Sequence, residues 1–174
     1  MKKPGSREAA PYYKHYIGLN KDGNVVLNLS KQISELKKAF GSVSEKNGTY
    51  RYAKGKWSVK ELLGHVIDAE RIFSYRALRI SRKDKTNLPG FEENYYVKNS
   101  NFEKRKFKDL IKEFTDVRKA NVIMIKSLDE KMLSHRGFAN NHGVTARAIV
   151  FIMYGHTKHH IQILKERYIA NLKK

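Results

Sequence analysis

Apolar residues recur at intervals of three or four along four stretches of the chain, the spacing that places side chains on one face of a helix. In the first stretch, Leu29, Ile33, Leu36 and Phe40 follow this spacing. No run of alternating apolar and polar residues indicates a strand. We therefore expect an all-α fold, a four-helix bundle, with helices near residues 24–41, 58–82, 106–128 and 145–170.

The second helix has the best-marked start in the sequence. Ser58 and Glu61 have the spacing of a capping box, in which each side chain bonds the other residue's backbone N–H. Trp57 and Leu62 stand where a hydrophobic staple would place them. Together these four residues predict that the helix begins at position 58.

The segments outside the predicted helices differ in kind. Residues 1–23 are polar and aromatic without a period, which predicts an extended N-terminal arm that lies on the body through its tyrosines. Residues 83–105 and 131–143 are long polar connections, and connections of this length often carry function. At 174 residues, the chain is most simply one domain, 1–174.

Composition limits the chemistry that this chain can perform. It has no cysteine, which excludes disulfides, thiolate metal sites and a cysteine nucleophile. No stretch approaches about 18 apolar residues, so we expect no membrane span, and we expect a cytoplasmic location. There are 36 Lys+Arg against 17 Asp+Glu, a formal net charge of +19. That charge favours a polyanion as a partner, but no nucleic-acid motif accompanies it.

Three histidines fall close together in the last predicted helix. At about 100° per residue, His156 and His160 share the apolar sector of that helix, whereas His159 lies at its margin. A pair separated by four residues is the spacing with which one helix presents two imidazoles to one metal ion. His65, on the second helix, is the best candidate for a third ligand, because His15, His135 and His142 lie in arms or connections. The spacing alone leaves open an alternative, that these are buried histidines bonded to backbone or carboxylate groups.

Other polar residues lie where they could serve such a site. Arg118 and Asn121 fall within the apolar sector of the third helix, and Arg76 lies along the second helix from His65. These three residues could bind an anionic substrate, although ion-paired arginines are an equal alternative. Asp68, one turn beyond His65, and His159 could orient a ligand imidazole.

Several segments taken together are similar to the DinB-like superfamily, which includes the YfiT-type proteins. They are YRYAKGKWSVKELLGHVIDAER at 50–71, YRALR at 75–79, LPGF at 88–91, GHTKHH at 155–160 and LKERY at 164–168. The resemblance covers nearly the whole chain from Tyr12 onward. Lys54 stands where relatives often have proline, and Lys106 where many have a helix-capping residue.

The resemblance implies a four-helix bundle with a three-histidine metal site, which corresponds to His65, His156 and His160. It also implies a divalent transition metal, zinc or nickel, and enzymes such as thiol S-transferases that act with bacillithiol or mycothiol. A homodimer is plausible by analogy with relatives.

We therefore expect a metal-dependent transferase or hydrolase acting on a small-molecule substrate. Its nucleophile would be a metal-bound water or the thiol of a low-molecular-weight cosubstrate. A non-catalytic metal-binding module and a polyanion or nucleic-acid binder are the alternatives.

Overall fold

The computed structural model describes residues 1–21 and 23–172, and helices form most of this part of the chain. The remaining positions, including 22 in the predicted arm and the end of the predicted domain at 173–174, lie outside the described residues. In chain order, the helices are α1 (Lys14–Gly18), α2 (Val25–Gly41), α3 (Val59–Ser81), α4 (Glu93–Lys98), α5 (Phe107–Lys126), α6 (Glu130–Ser134), α7 (Ala146–Ile163) and α8 (Ala170–Leu172).

Shorter elements connect these helices. Three strands, β1 (Asn87–Leu88), β2 (Arg136–Ala139) and β3 (His142–Thr145), form one small sheet in the described part of the chain. Turns of 3-10 helix occupy Pro11–Tyr13, Glu45–Asn47 and Phe102–Lys104, and a π-helical segment, Leu164–Ile169, joins α7 to α8.

The starts of the long helices follow from local sequence. The capping box at the start of α3 is formed: the Glu61 N–H donates to Ser58 Oγ over 3.3 Å, and the Ser58 N–H donates to Glu61 Oε2 over 2.7 Å. At the start of α5, Lys106 makes no side-chain cap. The Phe107 N–H donates instead to Glu45 Oε2, 3.1 Å away, so a distant carboxylate satisfies an N–H that the helix leaves unpaired.

The four long helices pack into a closed ring, in which α3 contacts α5 and α7, and α2 contacts the same two helices. Two apolar clusters fill the interior. The first contains Leu29, Phe73, Val122 and Ile149, and the second contains Leu36, Leu63, Phe114 and Leu164. Buried polar residues also occur on all four long helices, and they include Gln32, Glu70, Arg118 and Thr157.

The small sheet shows that the all-α prediction is confirmed only in part. Strand β1 pairs in parallel with β2, and β2 pairs antiparallel with β3. Asn140 and Asn141 connect β2 to β3 with φ angles of 50° and 63°. Asparagine tolerates this left-handed conformation, and two such residues in sequence are typical of a tight hairpin. The mostly helical fold therefore carries a sheet that the sequence pattern did not predict.

The segments predicted to be extended or irregular contain further structure. The N-terminal arm is not simply extended, because Pro11–Tyr13 and α1 are helical. The connection at 83–105 contains β1 and α4, and the connection at 131–143 contains most of α6, all of β2 and the start of β3. These elements are too short for a periodic apolar pattern, which explains why the pattern missed them.

The arm packs closely on α7. A Cβ atom added at Gly155 would lie 2.0 Å from the carbonyl oxygen of Tyr16, so only glycine permits this approach. The arm is thus held against the helix that carries two of the predicted metal ligands. Within the described residues, no helix combines the length and the apolar character needed to cross a membrane.

Candidate metal centre

The packing of α3 against α7 brings the three predicted ligands together. His65 faces inward from α3, and His156 and His160 lie one turn apart on the inner side of α7. The exposed fractions of the three residues are 5%, 7% and 8%. We call His65, His156 and His160 the histidine cluster.

The ring nitrogens of the histidine cluster converge on one point. Nε2 of His156 lies 3.1 Å from Nε2 of His65 and 3.1 Å from Nε2 of His160. One candidate ligand atom from each residue lies within 4.8 Å of the others. Nitrogens that bind one zinc ion at about 2.0–2.1 Å in tetrahedral geometry lie roughly 3.4 Å apart. The observed separations therefore fit a shared ion.

The donor set also fits a divalent transition metal. Imidazole suits zinc, nickel, iron and copper, and three imidazoles leave at least one coordination position for another molecule. In the described part of the chain, Nε2 of His156 contacts Nε2 of both His65 and His160. The alternative of buried structural histidines would instead require backbone or carboxylate partners. The Nδ1 atom of His160 is buried without a hydrogen-bond partner among the described residues.

Burial keeps the imidazoles in the neutral form that a metal requires. It lowers the pKa of His65 to about 4. Burial also lowers the pKa values of His156 and His160 well below the ordinary value, and the neighbouring histidines add to this effect. Neutral imidazoles with available lone pairs are ligands, so the electrostatics agree with the geometry.

Aromatic side chains from four segments surround the histidine cluster. Trp57 lies 4.7 Å from His65 between ring centroids, and Phe91 stacks on the same ring at 6.5 Å. Phe73 and Tyr16 lie 5.4 Å and 5.7 Å from the ring of His156. These rings limit the access of water, and Tyr16 is contributed by the N-terminal arm.

One cleft reaches the cluster from outside. His160 forms part of its wall, together with Trp57, Glu93 and Tyr168, and its volume is about 270 Å³. The Tyr168 hydroxyl donates to the Trp57 carbonyl over 2.8 Å, which ties the π-helical segment after α7 to the start of α3. A small molecule in this cleft would contact a residue of the histidine cluster directly.

The two residues predicted to orient ligands lie in different surroundings. His159 is partly buried, and its ring lies 5.2 Å from that of His160, 5.3 Å from that of His15 and 5.5 Å from that of Tyr16. It therefore packs between the arm and the cluster. Burial raises the pKa of Asp68, whose charged neighbours are Arg71, Glu113 and Arg105. Neither residue has a described hydrogen bond to a cluster imidazole, so their orienting roles stay predictions.

Arg118 and Asn121 belong to a buried network that crosses the bundle. Arg118 is fully buried and donates to both carboxylate oxygens of Glu70, at 2.7 and 2.8 Å, and to Thr157 Oγ1 at 2.9 Å. It also donates to Gln32 Oε1 and to the Leu29 carbonyl. These contacts engage all five N–H donors of the guanidinium.

Asn121 completes this network by donating to Glu70 Oε1 over 2.8 Å. We call Gln32, Glu70, Arg118, Asn121 and Thr157 the polar layer. With its donors engaged inside the layer, Arg118 has the surroundings of an ion-paired arginine rather than of a substrate-binding one.

Glu70, Gln32 and Thr157 were not singled out from the sequence, although a signal for two of them is present. Glu70 lies four residues after Val66 and three before Phe73, inside the apolar sector of α3. Gln32 lies three residues after Leu29 and four before Leu36, inside the apolar sector of α2. A polar residue within an apolar sector requires a buried partner, the argument that applies to Arg118.

Arg76 lies elsewhere, beside a separate pocket. Its side chain is buried, and it donates to the Pro89 carbonyl over 2.6 Å. The pocket is bounded by α3 and by the connection that carries Phe91. The structure therefore separates the predicted substrate-binding residues: Arg118 and Asn121 are interior, whereas Arg76 lines a surface pocket.

These observations define a mostly helical protein with a buried three-histidine cluster shared by two packed helices. The sequence model of the DinB superfamily matches residues 28–164, and the chain belongs to this family. The resemblance identified from sequence segments is thereby confirmed.

Two solved structures share the fold at low sequence identity. YfiT from Bacillus subtilis, described as a probable metal-dependent hydrolase with an unusual four-helix bundle topology, superposes with a TM-score of 0.75 at 13% identity, covering 84% of this chain and 85% of YfiT. A mycothiol-dependent maleylpyruvate isomerase superposes with a TM-score of 0.66 at 12% identity, covering 80% of this chain and 59% of the isomerase. No curated protein sequence matches the chain.

Proposed function

We propose that this protein is a metal-dependent enzyme that acts on a small-molecule substrate, as a hydrolase or as a thiol S-transferase. The observation that carries the proposal is the convergence of three buried, neutral imidazoles at the end of a cleft. His65, His156 and His160 would hold a divalent ion, zinc or nickel. When bound, such an ion lowers the pKa of a coordinated water or thiol, so that the deprotonated nucleophile forms near neutral pH.

The residues of this chain supply the surroundings for that chemistry. The histidine cluster leaves a coordination position open, and the cleft at His160 gives a reactant a route to it. The rings of Tyr16, Trp57 and Phe73 exclude bulk water, which strengthens electrostatic interactions within the site.

The structural relatives support both forms of the proposal. YfiT is described as a probable hydrolase, for which a coordinated water would be the nucleophile. The isomerase depends on mycothiol, a thiol supplied by another molecule. The absence of cysteine from this chain agrees with an external, low-molecular-weight thiol. A homodimer and a cytoplasmic location stay predictions.

A metal-binding module without turnover is the main alternative, because a closed three-histidine site would show the same convergence of nitrogens. It differs in having no exchangeable coordination position. A polyanion binder is favoured only by the net charge of +19. The affinity of such a protein for a polyanion would fall steeply as the salt concentration rises, and it would not depend on the histidine cluster.

Cobalt(II) spectroscopy tests the proposal directly, since the visible absorption of this ion reports its coordination. We expect the cobalt-loaded protein to change its spectrum and gain a thiolate-to-cobalt band on addition of 2-mercaptoethanol, and His160→Ala to show neither. A cobalt spectrum that does not respond to thiol, azide or pH would support the closed module. Failure of the purified protein to retain cobalt or zinc after desalting would remove the basis of the proposal.

A further inference from the structure

A second pocket adjoins the histidine cluster on the other side of Phe91. Its volume is about 310 Å³, at the lower end of the range for small-ligand sites. Phe91 both lines this pocket and stacks on His65, with 6.5 Å between ring centroids. The other walls are mainly apolar and aromatic, and include Ile72, Tyr75, Leu88 and Tyr96. The ring of Phe91 would therefore separate an occupant from the imidazole of His65.

Arg76 places a buried positive charge at this pocket. The residue is only 4% exposed, and its described partners are both neutral: the Pro89 carbonyl, at 2.6 Å, and the Tyr13 hydroxyl. Burial raises the pKa of Tyr13 well above its ordinary value, so the phenol does not supply a negative charge. Among the described residues, no carboxylate lies within ion-pairing distance of Arg76.

Other arginines of the chain differ from Arg76 because they have acidic partners. Arg118, which is also buried, forms a bidentate pair with Glu70. Arg71, which lines the same pocket, is paired with Glu113 at 2.7 Å, and Arg79 is paired with Asp84. Buried charges in proteins are generally paired, and an unpaired guanidinium beside an open pocket is suited to an anionic ligand.

We propose that this pocket, hereafter the Arg76 pocket, binds a small organic carboxylate with a flat apolar body, such as an aryl carboxylate. Arg76 would bind the carboxylate, while Phe91, Tyr96, Ile72 and Leu88 would contact the apolar body. The inference that this carboxylate is the substrate rests on the proposed function. The inference that it binds in the Arg76 pocket does not. Arginine is the side chain that best matches a carboxylate, and aromatic walls suit a flat ring.

Isothermal titration calorimetry with benzoate tests the inference on the full chain, in zinc-loaded and chelator-treated forms. Benzamide is the neutral match, and phenyl phosphate is the alternative anion. We expect benzoate to bind both forms, and benzamide to bind roughly tenfold more weakly or worse, because it lacks the charge-assisted bond to Arg76. We expect Arg76→Met to lower benzoate affinity by a similar factor. Arg82→Met, an exposed arginine at the end of the same helix and outside the pocket, should leave it unchanged.

Three results would overturn the inference: equal binding of benzamide and benzoate, tighter binding of phenyl phosphate than of benzoate, or loss of benzoate binding in His160→Ala but not in Arg76→Met. If circular dichroism shows that Arg76→Met is unfolded, Tyr96→Ala replaces it, because Tyr96 is exposed at the pocket wall. Unchanged benzoate affinity in Tyr96→Ala would then also count against the inference. If benzoate binds as expected but the protein retains no zinc after it has been loaded and desalted, the proposed function fails and the inference about the Arg76 pocket stands.

Discussion

Nε2 of His65 lies 3.1 Å from Nε2 of His156, although the two residues are 91 positions apart in the chain. The contact exists because α3 and α7 pack along their length, which places the inner face of each helix against the other. His160, one turn beyond His156, adds a third nitrogen at the same distance. The metal site is therefore a property of this helix pair, and each ligand can be tested separately.

Substitution of a cluster histidine should remove the metal. We expect the zinc-loaded protein to hold about one equivalent after desalting, and His65→Ala or His156→Ala to hold almost none, because two imidazoles form an incomplete site. Elemental analysis measures the content. His142→Ala is the control, since His142 is an exposed histidine that lies outside the converging nitrogens. Loss of zinc from the control, or its retention by His156→Ala, would contradict the assignment.

The helices and the histidine cluster could be predicted because both depend on helical periodicity. The position of His156 and His160 within an apolar sector is a local property, and burial of that sector brings them inward. The partner His65 followed from elimination among the remaining histidines. The helices and the pair on the last helix therefore needed only local sequence, whereas the choice of His65 needed a comparison of all the histidines in the chain.

The sheet and the polar layer depend on partners that are distant in sequence. Strand β1 is two residues long and pairs with Phe138 and Ala139, about fifty positions away, so no local period marks it. The Asn140-Asn141 pair carried a hairpin signal that flanking apolar runs did not reinforce. Arg118 was recognised as a polar residue in an apolar sector, but its partner Glu70 lies on another helix.

Removal of Glu70 should destabilise the fold strongly. Glu70→Leu leaves the Arg118 guanidinium buried without its carboxylate, and breaking such a pair costs about 3–5 kcal/mol. Urea unfolding of the zinc-free protein measures the free energy of unfolding. The surface pair of Lys112 and Asp116 provides a control, because Asp116→Ala removes only a solvent-exposed ion pair and should leave the free energy of unfolding almost unchanged.

The double variant Glu70→Leu with Arg118→Met should recover part of the loss, since it removes both buried charges. A Glu70→Leu protein as stable as the Asp116→Ala control would show that the polar layer does not need its ion pair.

Gly155→Ala should displace the N-terminal arm. The added Cβ would lie 2.0 Å from the Tyr16 carbonyl oxygen, so the arm must move, and Tyr16 would withdraw from His156. We expect faster hydrogen exchange at residues 14–18 and faster transfer of zinc to a chelator. Overpacking of this kind costs about 1–3 kcal/mol.

Gly41→Ala is the matched control for the arm, because a Cβ at Gly41 meets nothing within 4 Å. It should change neither exchange in the arm nor zinc release. Equal zinc release from Gly155→Ala and the unaltered protein would mean that the arm does not restrict access to the metal site.

Glu8 fastens the arm to the start of α7. Its carboxylate accepts hydrogen bonds from the Gly5 N–H at 2.9 Å, from the Thr145 hydroxyl at 2.8 Å and from the Arg147 guanidinium at 3.1 Å. Burial raises the pKa of Glu8, but these hydrogen bonds and the charge of Arg147 outweigh it and hold the pKa below the ordinary value of 4.5.

Because the folded pKa of Glu8 lies below the unfolded value, its contribution to stability is present above pH 4.5 and is lost as the pH falls through the folded pKa. At about pH 7, we expect Glu8→Gln to lower the free energy of unfolding by about 1 kcal/mol, or the melting temperature by about 2–4 °C. The difference should shrink as the pH falls below 4.5 and should vanish once the pH is below the folded pKa, where the native carboxyl is protonated. Thermal melts measure it, with the exposed Glu166→Gln as control. A Glu8→Gln difference that persists unchanged at low pH would assign the effect to packing rather than to charge.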